Sequence, residues 1–354
     1  MIIINGVQST LRLDKWRTLG LEGRNSTVSV CLDTQLSEVL VLKEITKDSL
    51  DAQQVDDYFL ESKMLNASSH PHIMPIRHAS SDESTIYITM PFYEKGSLNT
   101  LMDTKFLTPK EIIKYSLDFL SGLLFIHTKE LLHLDIKPTN VVINDNDRAI
   151  LTDFGLSRYL NENGLADQAM QYSRHRSPES YSIDAKSIKD DIYQTGLTLY
   201  RMANGNQVFK EQFELLQHQC NFDPVQIGVQ VQGGVFPDRN FFLPHIPKPI
   251  RNIIKKALHL NPDRRYKNVL EIINALSKID EKLNWEYTLD TNTNTHSWSL
   301  DEGNSITSVI LDSNLVVSST KLTKSSQRTR NNNTIRGTFG SLPEAFAYLE
   351  GKLE

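Results

Sequence analysis

Two short stretches near the middle of the chain decide the fold. Residues 133–140 read His-Leu-Asp-Ile-Lys-Pro-Thr-Asn, and residues 153–155 read Asp-Phe-Gly. Between them lie two apolar runs, residues 141–143 and 149–151, which predict a β-hairpin. Because a hairpin returns the chain to the place where it began, the two polar stretches are expected to meet at one point.

The polar residues of these stretches suit a metal ion and a phosphate. Asp135, Lys137 and Asn140 fall within one tight loop and place a carboxylate, an ammonium and a carboxamide around a single point. Asp153 is expected to return to the same point from the far side of the hairpin. Carboxylate and amide oxygens are hard ligands of the kind that Mg²⁺ takes, usually together with substrate phosphates. A single turn rich in Asp and Asn is common and indicates no particular function. The two stretches together at this spacing are uncommon and favour a metal and phosphate site.

In this order and spacing the two stretches resemble those of eukaryotic-type (Hanks-type) protein kinases, over about residues 16–283. The resemblance implies ATP as phosphate donor and Mg²⁺, or Mn²⁺ in its place, as metal cofactor. It implies that Asp135 is the catalytic base and that Lys137 neutralises the transferred phosphate. Asn140 and Asp153 would hold the metal ions. A Lys in the Asp-x-Lys-Pro-x-Asn loop resembles the serine/threonine kinases rather than the tyrosine kinases.

Further matches lie upstream, in the order that the resemblance requires. The strand Val-Leu-Lys at 41–43 makes Lys43 the expected contact of the α- and β-phosphates, with Glu61 as its ion-pair partner. Glu44 is nearer in sequence, but adjacent strand residues point to opposite faces. The other expected nucleotide-binding residues are Leu21, Gly23, Ser26, Val28, Val41, Met90, Phe92 and Tyr93.

Downstream matches favour a protein substrate over a small molecule. Ser-Pro-Glu at 177–179 resembles the Ala-Pro-Glu that ends the activation segment of these kinases. The resemblance implies an ion pair between Glu179 and Arg265, and it implies that Asp191 braces the catalytic loop.

Two departures from the family pattern carry expectations of their own. Of the three glycine positions over the nucleotide, Leu21, Gly23 and Ser26, only the middle one is Gly, so weaker ATP binding is expected. Leu134 stands where many regulated kinases have an Arg that pairs with an activation-segment phosphate. Activity without activation-segment phosphorylation is therefore expected. The expected protein substrates include the protein itself.

Two basic segments could bind anions. Arg-His-Arg at 174–176 suits an acidic or phosphorylated substrate, or it is a solvated loop. Residues 313–343 contain no acidic residue, and this segment predicts contact with an anionic or nucleic-acid partner, or an ordinary basic hairpin face. Its basic residues are Lys321, Lys324, Arg328, Arg330 and Arg336.

The patterns predict an α+β, bilobal protein-kinase-like fold with a small C-terminal appendage of strands and a helix. Residues 1–93 are expected to form the β-rich N-lobe and hinge, and residues 94–284 the α-helical C-lobe. Residues 285–354 read as a separate module of ββα character, or as a partly ordered tail. Two alternatives to an active kinase stay open: a pseudokinase or scaffold, and a kinase regulated by nucleic-acid or partner binding to this module.

The secondary structure can be placed from hydrophobic spacing and capping residues. Thr-Pro-Lys-Glu at 108–111 predicts the start of a helix that runs to His127. Strands are predicted at 28–32, 39–43 and 86–90, and further helices at 55–65, 188–204, 249–260, 266–283 and 343–353.

The composition fits a soluble protein with more than one domain. The chain has 354 residues, 38 Lys and Arg against 43 Asp and Glu, and a mean hydropathy of −0.36. Two cysteines, Cys31 and Cys220, without a Cys-x-x-Cys pair favour a reducing, cytoplasmic setting over a disulfide framework. No stretch approaches the ~18 consecutive apolar residues of a spanning helix, so no membrane partner is expected.

Overall fold

The computed structural model describes residues 12–18, 26–47, 70–167 and 173–353. It divides into two compact units, one up to Glu94 and one from Lys95 onward. The helix predicted at 55–65, and Glu61 with it, lies outside the described residues.

The first unit is built on a five-stranded antiparallel sheet with the order β1-β2-β3-β5-β4. Buried Ile45, Ile86 and Ile88 form a core cluster on one face, against which Ile76 and Met90 pack. All three predicted strands of this unit are confirmed. The strands are β1 (Leu13–Thr18), β2 (Ser26–Asp33), β3 (Glu38–Thr46), β4 (His78–Ser81) and β5 (Thr85–Pro91).

The second unit begins with helices whose ends are set by capping residues. The predicted helix start at 108–111 is confirmed, because the Thr108 hydroxyl accepts from the Glu111 backbone N–H and the Glu111 carboxylate accepts from the Thr108 backbone N–H. The helices are α1 (Leu98–Thr104), α2 (Pro109–His127), α3 (Ile188–Asn204), α4 (Asn206–Gln219), α5 (Pro224–Gln232), α6 (Lys248–Ala257) and α7 (Val269–Leu276).

The helix predicted at 266–283 is longer than the one that forms. α7 begins only after Asn268, whose side chain accepts from the Glu271 backbone N–H at 3.1 Å, and it ends before Ser277. The two helices α4 and α5 were not predicted.

Short strand pairs carry the loops of the second unit. The predicted hairpin is confirmed as β7 (Val141–Ile143) and β8 (Ala149–Leu151). The two other pairs are β6 (Leu131–Leu132) with β9 (Arg158–Tyr159), and β10 (Ala166–Asp167) with β11 (Ala185–Lys186).

The C-terminal module, residues 285–353, is an antiparallel sheet covered by one helix, with more strands than a ββα unit. The sheet has the order β12-β13-β14-β15-β16, with β17 paired to β15. The predicted C-terminal helix is confirmed as α8 (Leu342–Leu353), and the Trp285 indole N–H donates to the Leu353 carbonyl at 3.0 Å. The strands are β12 (Trp285–Asp290), β13 (Thr295–Asp301), β14 (Ser305–Leu311), β15 (Val316–Thr323), β16 (Arg328–Asn331) and β17 (Gly337–Thr338).

This module packs directly on the helical part of the second unit. The Tyr287 ring lies 4.5 Å from the Phe106 ring and 5.3 Å from the His245 ring, measured between centroids. Arg251 of α6 forms a salt bridge with Glu350 of α8. Across the described ranges, the structure contains no helix with the length and apolarity to cross a bilayer.

Candidate active site

The loop at 133–140 brings its three predicted polar side chains together. The Asn140 amide N–H₂ donates to the Asp135 backbone carbonyl at 2.9 Å and to Asp135 Oδ2 at 2.8 Å. Lys137 Nζ lies 2.9 Å from the same Oδ2. The second carboxylate oxygen, Asp135 Oδ1, is buried and has no hydrogen-bond partner in the described structure. One oxygen therefore fixes the side chain and the other stays available as an acceptor.

The backbone of this loop is held by α3. Asp191 accepts from the backbone N–H groups of His133 and Leu134 at 2.9 and 2.7 Å, and from His127 Nε2 at 2.7 Å. Burial alone would raise the pKa of Asp191, but these hydrogen bonds outweigh it and lower the pKa below its ordinary value. Asp191 thus accepts three hydrogen bonds, two of them from the loop backbone, as expected of a residue that braces the loop.

Gln194 is a second anchor of the loop, and sequence reasoning missed it. Its Oε1 accepts from the Ile136 backbone N–H at 2.9 Å, and its Nε2 donates to the Leu134 carbonyl at 2.9 Å. The signal was present, since residues three apart on a helix share a face and Gln194 stands three after Asp191.

Leu134 belongs to a buried apolar cluster. It adopts a left-handed conformation with φ of 62° and is completely buried. Buried Leu132 and Ala166 share the cluster, and three partly buried residues, Leu156, Leu160 and Ile188, pack against it. The segment that follows residue 155 is therefore tied to the loop by apolar contact.

Asp153 comes back beside the loop as the hairpin predicts. The Thr152 backbone N–H donates to the Asn140 carbonyl at 2.9 Å, and the Thr152 carbonyl lies 3.1 Å from His133 Nε2. The rings of Phe154 and His133 are 4.9 Å apart. Because Thr152 is bonded to Asn140, the next residue, Asp153, lies close to the loop at 133–140.

The donor set fits a divalent ion that is shared with a substrate. Asn140 offers an amide oxygen and Asp153 a carboxylate, both hard ligands. The described residues contain no cluster of three or more His, Cys, Asp or Glu side chains able to hold a metal alone. Mg²⁺ commonly binds with so few protein ligands when phosphate oxygens and water complete its shell.

In the first unit, five predicted nucleotide-binding residues share one face of the sheet. Val28 lies opposite Lys43, and Val41 lies opposite Met90, in an unbroken antiparallel register. Ser26 precedes Val28 by two residues and so has the same orientation. Of the other predicted residues, Phe92 and Tyr93 follow the end of β5, and Phe92 lies under the Arg17 guanidinium at 5.8 Å. Leu21 and Gly23 lie outside the described residues.

Glu44 occupies the opposite face and has its own partner. Its carboxylate lies 2.6 Å from Lys15 Nζ of β1. The expectation that Glu44 points away from Lys43 agrees with this pair, whereas the partner predicted for Lys43, Glu61, lies outside the described residues.

The predicted Glu179–Arg265 ion pair is present. Arg265 donates from Nη1 and Nη2 to the two Glu179 carboxylate oxygens at 2.6 and 2.7 Å. The Arg265 side chain is wholly buried and also donates to the backbone carbonyls of His259 and Lys189. Such a two-pronged pair fixes the end of the segment that contains residues 177–179.

The basic residues at 174–176 are not one solvated cluster. His175 is completely buried between Arg201 Nη1, at 3.0 Å from its Nε2, and the Ile136 carbonyl, at 3.1 Å from its Nδ1. Burial, joined by the charges of Arg201 and Lys137, holds the pKa of His175 well below its ordinary value. His175 therefore positions the loop as a neutral ring.

The C-terminal basic segment is partly neutralised by acidic residues from a neighbouring turn. Lys321 Nζ lies 2.9 Å from a Glu302 carboxylate oxygen, and Lys324 Nζ lies 2.7 Å from an Asp301 carboxylate oxygen. Arg328, Arg330 and Arg336 are exposed. The segment is thus less strongly positive than residues 313–343 alone suggest, and a nucleic-acid partner stays a prediction.

The fold is that of the protein kinase class. Residues 13–276 match the protein kinase domain, so the chain belongs to the protein kinase family, and it groups with serine/threonine kinases. Members of this family in general use ATP and a divalent metal ion.

Three relatives illustrate the similarity. A probable serine/threonine-protein kinase of Dictyostelium discoideum is 27% identical over 60% of this chain and 13% of its own length. The serine/threonine-protein kinase ULK3 of Xenopus laevis is 26% identical over 64% of this chain and 47% of its own length. A probable serine/threonine-protein kinase of Clostridium acetobutylicum is 25% identical over 73% and 38%. The chain thus spans less than half the length of each.

Proposed function

We propose that this chain transfers the terminal phosphoryl group of ATP to serine or threonine hydroxyls of protein substrates, and that its substrates include the chain itself. The observation that carries the proposal is the state of Asp135. Its Oδ2 is held by Asn140 and Lys137, while its buried Oδ1 has no hydrogen-bond partner in the described structure. A fixed carboxylate with one available oxygen is suited to accept the hydroxyl proton and orient the attacking oxygen.

The neighbouring residues supply charge rather than covalent chemistry. Lys137 is suited to neutralise the phosphoryl group in transit, and Asn140 with Asp153 would hold Mg²⁺ or Mn²⁺. The ion would bind phosphate oxygens and offset their negative charge. Lys43 would bind the α- and β-phosphates, and the sheet face that it shares with Val41 would contact the nucleotide. Positioning and electrostatic stabilisation are the main catalytic contributions in phosphoryl transfer.

The test is transfer of labelled phosphate from ATP to the protein itself and to a generic protein acceptor. Asp135→Asn should lower the rate by about 10²–10⁴-fold, because the acceptor for the proton is lost. Asp145→Asn is the matched control, since Asp145 lies exposed in the turn between β7 and β8. Equal rates for the two variants would contradict the role of Asp135.

We further propose that activity does not require activation-segment phosphorylation. The apolar cluster around Leu134 supports this, because Leu156, Leu160 and Ala166 are held there by apolar contacts. Phosphatase-treated protein should keep its activity. Loss of activity on dephosphorylation, restored by phosphate on Ser157 or Ser173, would contradict the proposal.

The weak glycine pattern over the nucleotide favours a second candidate, a pseudokinase or scaffold with poor transfer. Nucleotide binding and phosphate transfer, measured on the same preparation, separate the two. Binding without transfer, unchanged by Asp135→Asn, would favour the scaffold. A kinase regulated through its C-terminal module would instead lose a salt-sensitive response to nucleic acid when residues 285–354 are deleted.

The two cysteines support a reducing, cytoplasmic setting. Cys31 and Cys220 are buried free thiols, one in each unit. Free thiols are the usual state of cysteine where glutathione keeps proteins reduced.

A further inference from the structure

Helix α5 exposes apolar side chains that nothing in the described structure covers. Val225 is 71% exposed and Val229 is 51% exposed. They are four residues apart and so lie on the same face, whereas Ile227 and Val231 on the other side are buried. A helix that is apolar on both sides is usually covered on both, so this outer face is suited to a partner.

A pocket of about 300 Å³ opens on this face. We call it the α5 pocket; its walls include Arg176, Tyr181, Pro224, Val225, Val229 and Gln232. Gly228 allows its shape, because a Cβ there would lie only 2.6 Å from the Tyr181 ring. The ring can therefore lie against the helix and form one wall.

The polar side of the pocket carries the positive charge of Arg176, which forms no salt bridge with an acidic residue of the described ranges. The Arg176 guanidinium lies 4.6 Å above the Tyr181 ring, and its Nη2 donates to the Ser180 carbonyl. Its Nε is buried and has no hydrogen-bond partner in the described structure. Because Arg176 lines the pocket, its positive charge would attract an anion that binds there.

The carboxylates of Glu179 and Asp190, which lie in the same region as Arg176, are bound by other groups. Glu179 is bound through both oxygens by Arg265. Asp190 accepts from the hydroxyls of Ser177 and Ser180 at 2.6 and 2.7 Å. An external carboxylate is therefore the natural counter-charge for Arg176.

We infer that the α5 pocket docks a segment of a protein substrate in which an acidic side chain stands beside aliphatic ones. The carboxylate pairs with the Arg176 guanidinium, and the aliphatic neighbours cover Val225 and Val229. Aliphatic contact supplies affinity, and the charge pair selects acidic segments over neutral ones. As a site for substrates, the inference rests on the kinase function proposed above.

The first test measures binding alone and does not depend on catalysis. The probe is a fluorescein-labelled peptide, Gly-Ser-Leu-Glu-Val-Leu-Glu-Ser-Gly, and its counterpart with Gln in place of Glu, followed by fluorescence polarisation on the full chain. The Glu peptide should bind at least about tenfold more tightly than the Gln peptide. Arg176→Gln should remove that difference. Equal affinities for the two peptides, or no saturable binding up to about 1 mM, would overturn the inference.

Val229→Glu should lower the affinity for the Glu peptide by about tenfold or more, because it places a negative charge on the apolar face that the negatively charged peptide contacts. Leu215→Glu is the matched control, since Leu215 is a similarly exposed apolar residue on α4, 59% exposed, outside the pocket. Equal loss in both variants would overturn the site. Self-association of the wild type that Val229→Glu alone abolishes would assign the face to a second copy, and would also overturn it.

The second test links the proposal to catalysis. A serine acceptor peptide joined to the Glu segment should show a KM about tenfold below that of the acceptor joined to the Gln segment. This difference should be absent in Arg176→Gln. If no acceptor is phosphorylated while the Glu peptide still binds selectively, the kinase function fails and the pocket stands as a binding site.

Discussion

Acidification should weaken the contact between the C-terminal module and the helices beneath it, through His245. This residue is 2% exposed and stacks on Tyr287 of the module. Burial, together with the nearby positive charge of Arg251, lowers the pKa of His245 to about 3. In the unfolded chain a histidine has a pKa of about 6.5.

The direction and size of the change in unfolding free energy follow from this difference in pKa. Between pH 6.5 and 3 the unfolded chain binds a proton at His245 that the folded chain does not, so folding becomes less favourable as the pH falls. At pH 5 the unfolded pKa lies about 1.5 units above the pH, which corresponds to a loss of about 2 kcal/mol relative to pH 7.5. The loss from this group is complete only near pH 3.

The assay is urea unfolding at pH 7.5 and pH 5, followed by tryptophan emission. Two of the three tryptophans, Trp285 and Trp298, lie in the module, so the emission reports mainly on it. His245→Phe keeps an aromatic ring against Tyr287 and removes the titration, so its pH dependence should be about 2 kcal/mol smaller than that of the wild type. The exposed His218→Gln serves as control. The same pH dependence in all three proteins would refute the reasoning.

Three further outcomes are expected. Gln194→Leu removes both hydrogen bonds to the backbone of Leu134 and Ile136, so kcat should fall by about tenfold and the unfolding free energy in urea by about 1–3 kcal/mol; an unchanged kcat would contradict the anchoring role. Arg265→Met leaves Glu179 without its counter-charge and should cost about 3–5 kcal/mol of unfolding free energy, measured by thermal or urea denaturation, and a cost near zero would mean that the pair is dispensable. Removal of divalent ions with a chelator should abolish phosphate transfer, and added Mg²⁺ or Mn²⁺ should restore it; transfer in the chelator would contradict the metal role.

The centre of the site was predictable because its geometry is local. The loop at 133–140 and the return at Asp153 depend on a tight turn and a short hairpin, both of which are encoded over a few residues. The start of α2 was predictable for the same reason, since Thr108 and Glu111 cap it within one turn.

Features that depend on distant packing were not predictable. The pairs of Lys321 with Glu302 and of Lys324 with Asp301 exist because β14 and β15 align in register, and the acids lie 19 and 23 residues upstream. The number of strands in the module could not be predicted either, because many strand positions are Ser or Thr and the alternation of apolar and polar residues is therefore weak. α5 was missed because both of its sides carry valines, so no single apolar face stands out.

The apolar cluster around Leu134 has a thermal consequence. Apolar contacts weaken on cooling, whereas an arginine–phosphate pair is weakened chiefly by added salt. The segment that contains Leu156 and Leu160 should therefore become less ordered on cooling, and its order should not change with ionic strength. Cooling at constant ionic strength is therefore expected to loosen this segment.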